Sequence, residues 1–197
     1  MAKSAKKKQA KKKNRDDAVP TEKKLADLFA MIDDIGTCMF TTRRADGYLV
    51  SRPMQAQHRE EDGRLWFVTD FDANKLDELR TDRHVNLAFY KDRSREWISV
   101  SGDASVTRDR AKIRELYKPD WKAWFGDEGG TRNGGPDDPR LTLIEVEPRT
   151  VEYLKVTKPK PVVMFAVVKA MVTGKPPKLG DERTVTSHEL IEHAPLE

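Results

Sequence analysis

Residues 37–69 carry three short β-rich runs separated by two tight turns, a spacing that favours antiparallel pairing. The first run is Thr37–Thr42. Asp46-Gly47 follows, a dipeptide suited to the positive φ angles of a tight hairpin. Tyr48–Gln57 is the second run, Glu61-Asp62-Gly63 the second turn, and Leu65–Thr69 the third run, with Trp66, Phe67 and Val68 in sequence. Together they predict a three-stranded meander. Further strands are expected at Val85–Tyr90, Trp97–Thr107, Leu141–Val146 and Val151–Val156, the last two broken at Pro148, with an edge strand at Arg183–Ser187. Gly102 inside a strand marks a bulge or a barrel corner. Six or seven mostly antiparallel strands must hide their edges, and closing the sheet on itself does so. The expectation is a mainly β (α+β) fold: a small antiparallel β-barrel with helices outside it.

The helices are few. Leu25, Leu28, Phe29 and Ile32 share one helical face, so a helix is expected over Glu22–Asp34, capped by Thr21 and stopped by Gly36. Shorter ones are expected at Ala73–Thr81, with Leu76 and Leu79 inward, and at Asp109–Tyr117, with Ile113 and Leu116 inward. Another is expected at Pro161–Val172. Phe125–Pro139, rich in glycine and proline, reads as a loop. Three parts follow: a disordered Lys-rich tail over 1–19, a barrel domain over 20–157, and a C-terminal helix and edge-strand extension over 158–197, frayed around Pro195.

Charge separates the tail from the rest. Residues 1–15 hold eight basic side chains and no acid, whereas the whole chain is only +4, so residues 16–197 carry −4. The basicity belongs to an appendage, which is either a solvated tail or a contact for nucleic acid or an anionic surface. The basic start runs into no apolar stretch, and the most apolar run, Pro161–Ala170, is interrupted by Lys169 and falls far short of a membrane span. A cytoplasmic protein with no membrane segment is expected. Cys38, the lone cysteine, reads as a buried, inert thiol. His58 and His84 read as surface or packing residues, and His188 and His193 lie in a weakly structured end. No dinucleotide, P-loop, zinc or nucleophile-elbow pattern occurs. Without self-sufficient catalytic machinery, an enzyme of this sequence would rely on a cofactor.

Three segments are candidates for holding one. In Ser51-Arg52-Pro53-Met54 the proline breaks a strand ladder, and Arg52 beside it either faces an anion or lies on the surface. Phe67-Val68-Thr69 ends a strand shortly before Asn74-Lys75 opens a helix; helix starts suit phosphate, although Asp72 at the expected cap opposes an anion. Trp121 and Trp124 precede the glycine-rich loop, either as a stacking wall or as a hydrophobic contact beneath it.

The order SRPM, LWFVTD, NK, VNLAFY, WISVSGDASV, WF…DDP, LTLIEVEP and VEYLKV resembles the pyridoxamine 5′-phosphate oxidase-like superfamily, in its general stress protein branch, from about Leu25 to Val156. The resemblance implies an FMN-binding split barrel, with FAD as the alternative, and a homodimer with flavin at the subunit interface. Arg52, Pro53 and Met54 would then run along the ring and ribityl chain. Phe67, Val68 and Thr69 would line the other side through backbone and hydroxyl contacts. Asn74 and Lys75 would take the phosphate, and Trp124 would approach from the partner. Leu154 stands where relatives often carry tryptophan, and no basic cluster for a second phosphate is present, so vitamin B6 oxidation is not the expected activity. A flavin-dependent oxidoreductase with a small-molecule redox partner, or a flavin buffer, is implied, with no catalytic acid or base named. A haem or deazaflavin barrel is a further alternative, and a nucleic-acid module acting through the tail is the reading from another class.

Overall fold

The computed structural model describes residues 19–157, 160–174 and 180–192. Most of the basic tail and the end around Pro195 therefore lie outside the described residues. Helix α1, Thr21–Ile35, buries Leu25, Leu28, Met31 and Ile32 and ends at Gly36, whose φ of 68° is the left-handed stop expected of a glycine there. Thr21 does not cap it. Pro20 holds that position without a side-chain bond, and Thr21 is the first helical residue, its hydroxyl donating to Glu189 (3.3 Å). Proline's fixed φ suits the entry to a helix, and a distant carboxylate takes the hydroxyl that a cap would need.

Strands β1 (Thr37–Arg43) and β2 (Leu49–Gln55) form the hairpin around Gly47. The second turn joins β3, only His58–Arg59, to β4 (Leu65–Asp70). The meander expected here does not form, because β4 pairs with a strand from much later in the chain. Helix α2 (Asn74–Thr81) follows, with Leu76 and Leu79 buried, and then β5 (His84–Lys91) and β6 (Glu96–Thr107). Helix α3 (Arg110–Leu116) is capped by the Asp109 carboxylate, which accepts from the Ala111 N–H (2.8 Å). A 3-10 turn at Pro119–Trp121 runs into α4 (Lys122–Phe125). Then come β7 (Leu141–Lys155), α5 (Lys160–Thr173), β8 (Asp181–Thr186) and α6 (Ser187–Glu192). His188, expected in a weakly structured end, sits on this short last helix; His193 lies outside the described residues.

Every pairing is antiparallel, in the order β2-β1-β5-β6-β7-β4-β3, with β8 on β7. The two ends of this order, β2 and β3, are separated in the chain by Ala56 and Gln57 alone. Two residues reach about 7 Å, so the sheet must curl until its ends nearly meet. The Ala56 N–H donates to the Gly36 carbonyl (2.9 Å) and the Gln57 N–H to the Trp66 carbonyl (2.7 Å), which fixes the crossing. The result is the expected antiparallel split barrel.

Strand β7 is continuous where two strands were expected. Pro148, which lacks a donor, sits opposite Gly102 at a bulge between Ser101 and Gly102. A Cβ on Gly102 would collide with the Glu147 carbonyl, so glycine is required by close approach. On one edge, β7 pairs first with β4 and, beyond Pro148, with β8.

Inside the barrel Phe40 and Phe67 meet edge to face at 5.2 Å, amid Leu87, Phe89, Ile98 and Val146. A second cluster, Trp66, Ile113, Leu116, Trp121, Leu141 and Leu143, seals α3 and the 3-10 turn against the outside of β4 and β7. The C-terminal strand is anchored by buried Arg183, which donates to Asp27 on α1 (2.5 Å), and by Glu189, which accepts from Lys24 (3.1 Å). The outer face of β2, β1, β5 and β6 is different. Registered residues there form one row, Pro53–Met39–Ala88–Ser99, and a second, Ser51–Thr41–Asn86–Ser101. Neither row contains a charge, in a chain that is 36% charged. No helix among the described residues is long and apolar enough to cross a membrane.

Candidate functional site

Alternation along β2 turns Val50, Arg52 and Met54 to one face and Leu49, Ser51 and Pro53 to the other. Arg52 therefore lies under α2. Its Nη1 donates to the Thr42 hydroxyl (2.7 Å) and its Nη2 to Glu78 Oε1 (2.7 Å), and the Thr42 hydroxyl donates to Glu78 Oε2 (2.5 Å). Burial alone would raise the Glu78 pKa, but the bonds from Arg52 and Thr42 outweigh it and hold the carboxyl below its usual range. Lys75, half-buried in the first turn of α2, donates to the Thr69 hydroxyl at the end of β4 (2.7 Å). Burial lowers its pKa, and the neighbouring Arg52 charge lowers it further.

Two cations from different strands and helices thus converge at one rim of the barrel, close enough for one to weaken the other's proton affinity. The N-cap of α2 is Ala73, which has no side chain to satisfy the first-turn N–H groups, so the helix end adds partial positive charge. Asp72, expected at that cap, lies one residue earlier, and its N–H donates to Asp70 (2.9 Å). An open cleft of about 560 Å³ adjoins the group, lined by Arg44, Val50, Arg52, Asn74, Glu78 and Thr81. A guanidinium, an ammonium and a helix start without a side-chain cap are groups that suit an anion such as phosphate, although Glu78 and Asp77 also line the cleft.

Of the residues singled out in the sequence, Arg52, Thr69, Asn74 and Lys75 are brought together. Met54 is in the core, and the Phe67 ring is fully buried, which leaves its backbone for any contact. Val68 points to the opposite face of β4, against the second cluster, and Pro53 lies on the outer face of the sheet. The two tryptophans do not form a wall. Trp121 is buried and donates to Gln57 Oε1 (2.8 Å), whereas Trp124 on α4 is 82% exposed. Thr42, Arg44 and Glu78 were missed. The signal for Glu78 was its place four residues after Asn74, on the same face of α2. Cys38 is buried, and burial pushes its thiol up to about 12. His58 and His84 are at the surface. No cluster of potential metal ligands occurs among the described residues.

The curled antiparallel sheet, with its ends stitched across a short crossing and cations at its rim, defines a split-barrel protein. A family model described as "Pyridoxamine 5'-phosphate oxidase like" matches residues 22–178, and the chain belongs to that family. It is 38% identical over 183 residues to Protein bli-3 of Neurospora crassa, covering 91% of this chain and 88% of that one. The general stress FMN/FAD binding protein of Xanthomonas citri is 28% identical with a TM-score of 0.54, over 66% of this chain and 88% of that one. A general stress protein 26 from Jannaschia sp. CCS1 shares the fold, at 20% identity and a TM-score of 0.64, over 84% of this chain and 99% of that one.

Proposed function

We propose that this chain binds FMN, with FAD as the alternative, in the general stress manner: a cytoplasmic homodimer acting as a flavin-dependent oxidoreductase or a flavin buffer. The convergence of Arg52 and Lys75 beside the open start of α2 carries the reading. A phosphate there would restore the proton affinity that Lys75 loses to its surroundings. Asn74 and the first-turn N–H groups of α2 would complete the phosphate contacts. Thr69 would fix Lys75, and Thr42 with Glu78 would fix Arg52. The backbone of Phe67, Val68 and Thr69 would flank the ring, with Pro53, Met54 and a partner's Trp124 as its other neighbours. A bound flavin supplies hydride or electron exchange with a small redox partner; the side chains bind and orient it. The binding protein of Xanthomonas citri supports the choice of ligand.

The absorption spectrum of the protein as purified, and after incubation with FMN or FAD, tests this. Flavin bands at about one flavin per chain are expected. A colourless protein that takes up neither flavin would overturn the reading.

A further inference from the structure

Helix α2 is tied twice to the β1–β2 hairpin. Arg52 and Thr42 hold Glu78, and Arg43 Nε donates to Asp82, the residue just past the helix (3.1 Å). The open cleft of about 560 Å³ lies between helix and hairpin. Asn74, Asp77, Glu78 and Thr81 line it from the helix; their spacing of three, one and three makes one continuous face. That face spans seven residues, about 10 Å. The proposed phosphate contacts, Arg52, Asn74 and Lys75, occupy only its first turn. A monophosphate ends there, yet the cleft's volume falls in the range of sites that enclose whole small molecules, roughly 300–1,000 Å³. None of the proposed ring neighbours on β4, Phe67, Val68 and Thr69, lines it. The cleft is therefore left for whatever continues beyond the phosphate.

The rest of the lining offers a second cation and a hydroxyl acceptor. Alternation along β1 puts Phe40 and Thr42 on one face, and the Arg44 N–H continues the ladder by donating to the Tyr48 carbonyl (2.8 Å). Arg44 thus stands one pleat, about 7 Å, beyond Thr42 on the side facing α2. Its charge is among those that hold the Glu78 carboxyl below its usual range. Its guanidinium is half-exposed and paired with Asp46 in the turn (2.7 Å), a surface pair worth little, so it can turn to an anion in the cleft at small cost. Asp77 and Glu78 oppose an anion on the helix side, which puts a second phosphate on the Arg44 side. A carboxylate suits ribose hydroxyls, as the acid of a dinucleotide site does. We infer that the cleft holds the nucleotide half of a flavin adenine dinucleotide, with Arg44 bonding the second phosphate and Asp77 accepting from the ribose hydroxyls. The inference rests on the flavin site of the proposed reading and turns its choice between FMN and FAD on Arg44.

The test titrates FAD and FMN into the full chain by flavin fluorescence, for wild type and Arg44→Ala. Wild type should bind FAD about tenfold more tightly than FMN, and Arg44→Ala should cut that ratio by about fivefold or more, with far-UV circular dichroism unchanged. Thr81→Trp, which fills the far end of the same helix face, should weaken FAD more than FMN. FMN bound as tightly as FAD by wild type, or a ratio that survives Arg44→Ala, would overturn the inference and leave the flavin site standing. Equal weakening of both flavins by Thr81→Trp would also overturn it, by taking the nucleotide half out of the cleft. NADH carries the same diphosphate and ribose. Its tight, Arg44-dependent binding to the FMN-loaded chain would assign the cleft to a nicotinamide dinucleotide and overturn the inference. A chain that takes up neither flavin would overturn the flavin reading itself, and this inference with it.

Discussion

Asp138→Asn tests how the barrel holds the long loop before β7. The Asp138 carboxylate is fully buried and accepts from the Gly134 N–H (2.7 Å), the Arg140 N–H (2.9 Å), Arg140 Nε (3.1 Å) and Arg140 Nη2 (2.7 Å). Arg140, also buried, donates onward to the carbonyls of Phe125 (2.7 Å) and Gly126 (3.1 Å) and to Glu128 (2.7 Å). The pair ties the loop to the entry of β7, two residues before Thr142, the register partner of Thr69. The Arg140 side chain beside Asp138 holds its carboxyl down at about 2, against an ordinary 3.8. That difference corresponds to about 2 kcal/mol of stability, and breaking a buried pair outright costs about 3–5 kcal/mol. Asparagine keeps the shape but leaves the Arg140 charge with only the half-exposed Glu128 carboxylate opposite it, so the melting temperature should fall by roughly 5–15 °C in calorimetry at pH 7. The sign with pH follows from a folded pKa below the unfolded one. The contribution is complete above about pH 4 and is lost as pH falls toward 2, with about 1 kcal/mol gone by pH 3. The gap between wild type and variant, measured by urea unfolding, should narrow by that amount from pH 6 to pH 3. A drop under 2 °C, with a gap that ignores pH, would refute the reasoning.

Gly102→Ala forces a Cβ into the Glu147 carbonyl at the bulge and should destabilise the barrel by about 2 kcal/mol or more, read as a lower urea midpoint. Glu78→Gln removes a negative charge beside the proposed phosphate site while keeping one acceptor for Arg52. FMN binding should tighten by roughly fivefold in a fluorescence titration, since about 1 kcal/mol of screened repulsion is removed. Deleting residues 1–18 should abolish any retention of DNA in a gel shift while leaving flavin uptake unchanged.

Strand and helix positions were legible wherever a local rule decides them. Gly36 and Gly47 fall where a positive φ favours glycine, Gly102 falls where the Glu147 carbonyl leaves no room for a Cβ, and Leu76, Leu79, Ile113 and Leu116 face inward as their spacing requires. Pairing was not legible in the same way. The run Leu65–Asp70 states that it is a strand but not that its partner is Leu141–Val146, because that choice depends on a crossing of two residues and on closure of the whole sheet. Pro148 reads as a break, yet a bulge opposite Gly102 lets the strand continue through it. At the site, Arg52 and Lys75 announced themselves by a broken ladder and a helix start. Glu78 did not, since an acid on a short helix looks like any solvated charge until Arg52 is seen beneath it. The two tryptophans looked alike in sequence and diverge because the 3-10 turn buries Trp121 and leaves Trp124 outside.

The central claim is that Arg52 and Lys75 exist to hold the phosphate of a flavin. Paired titrations of FMN and riboflavin, which differ by that phosphate, against wild type and Lys75→Met test it most directly. Each charge-assisted bond is worth about 1.5–3 kcal/mol, so wild type should bind FMN at least 100-fold more tightly than riboflavin, and the variant should lose most of that preference with riboflavin affinity unchanged. FMN affinity in wild type should also weaken with rising pH earlier than an ordinary lysine would dictate, because the Lys75 ammonium is the easier to deprotonate. Equal affinities for FMN and riboflavin, or a preference that survives the loss of Lys75, would contradict the account.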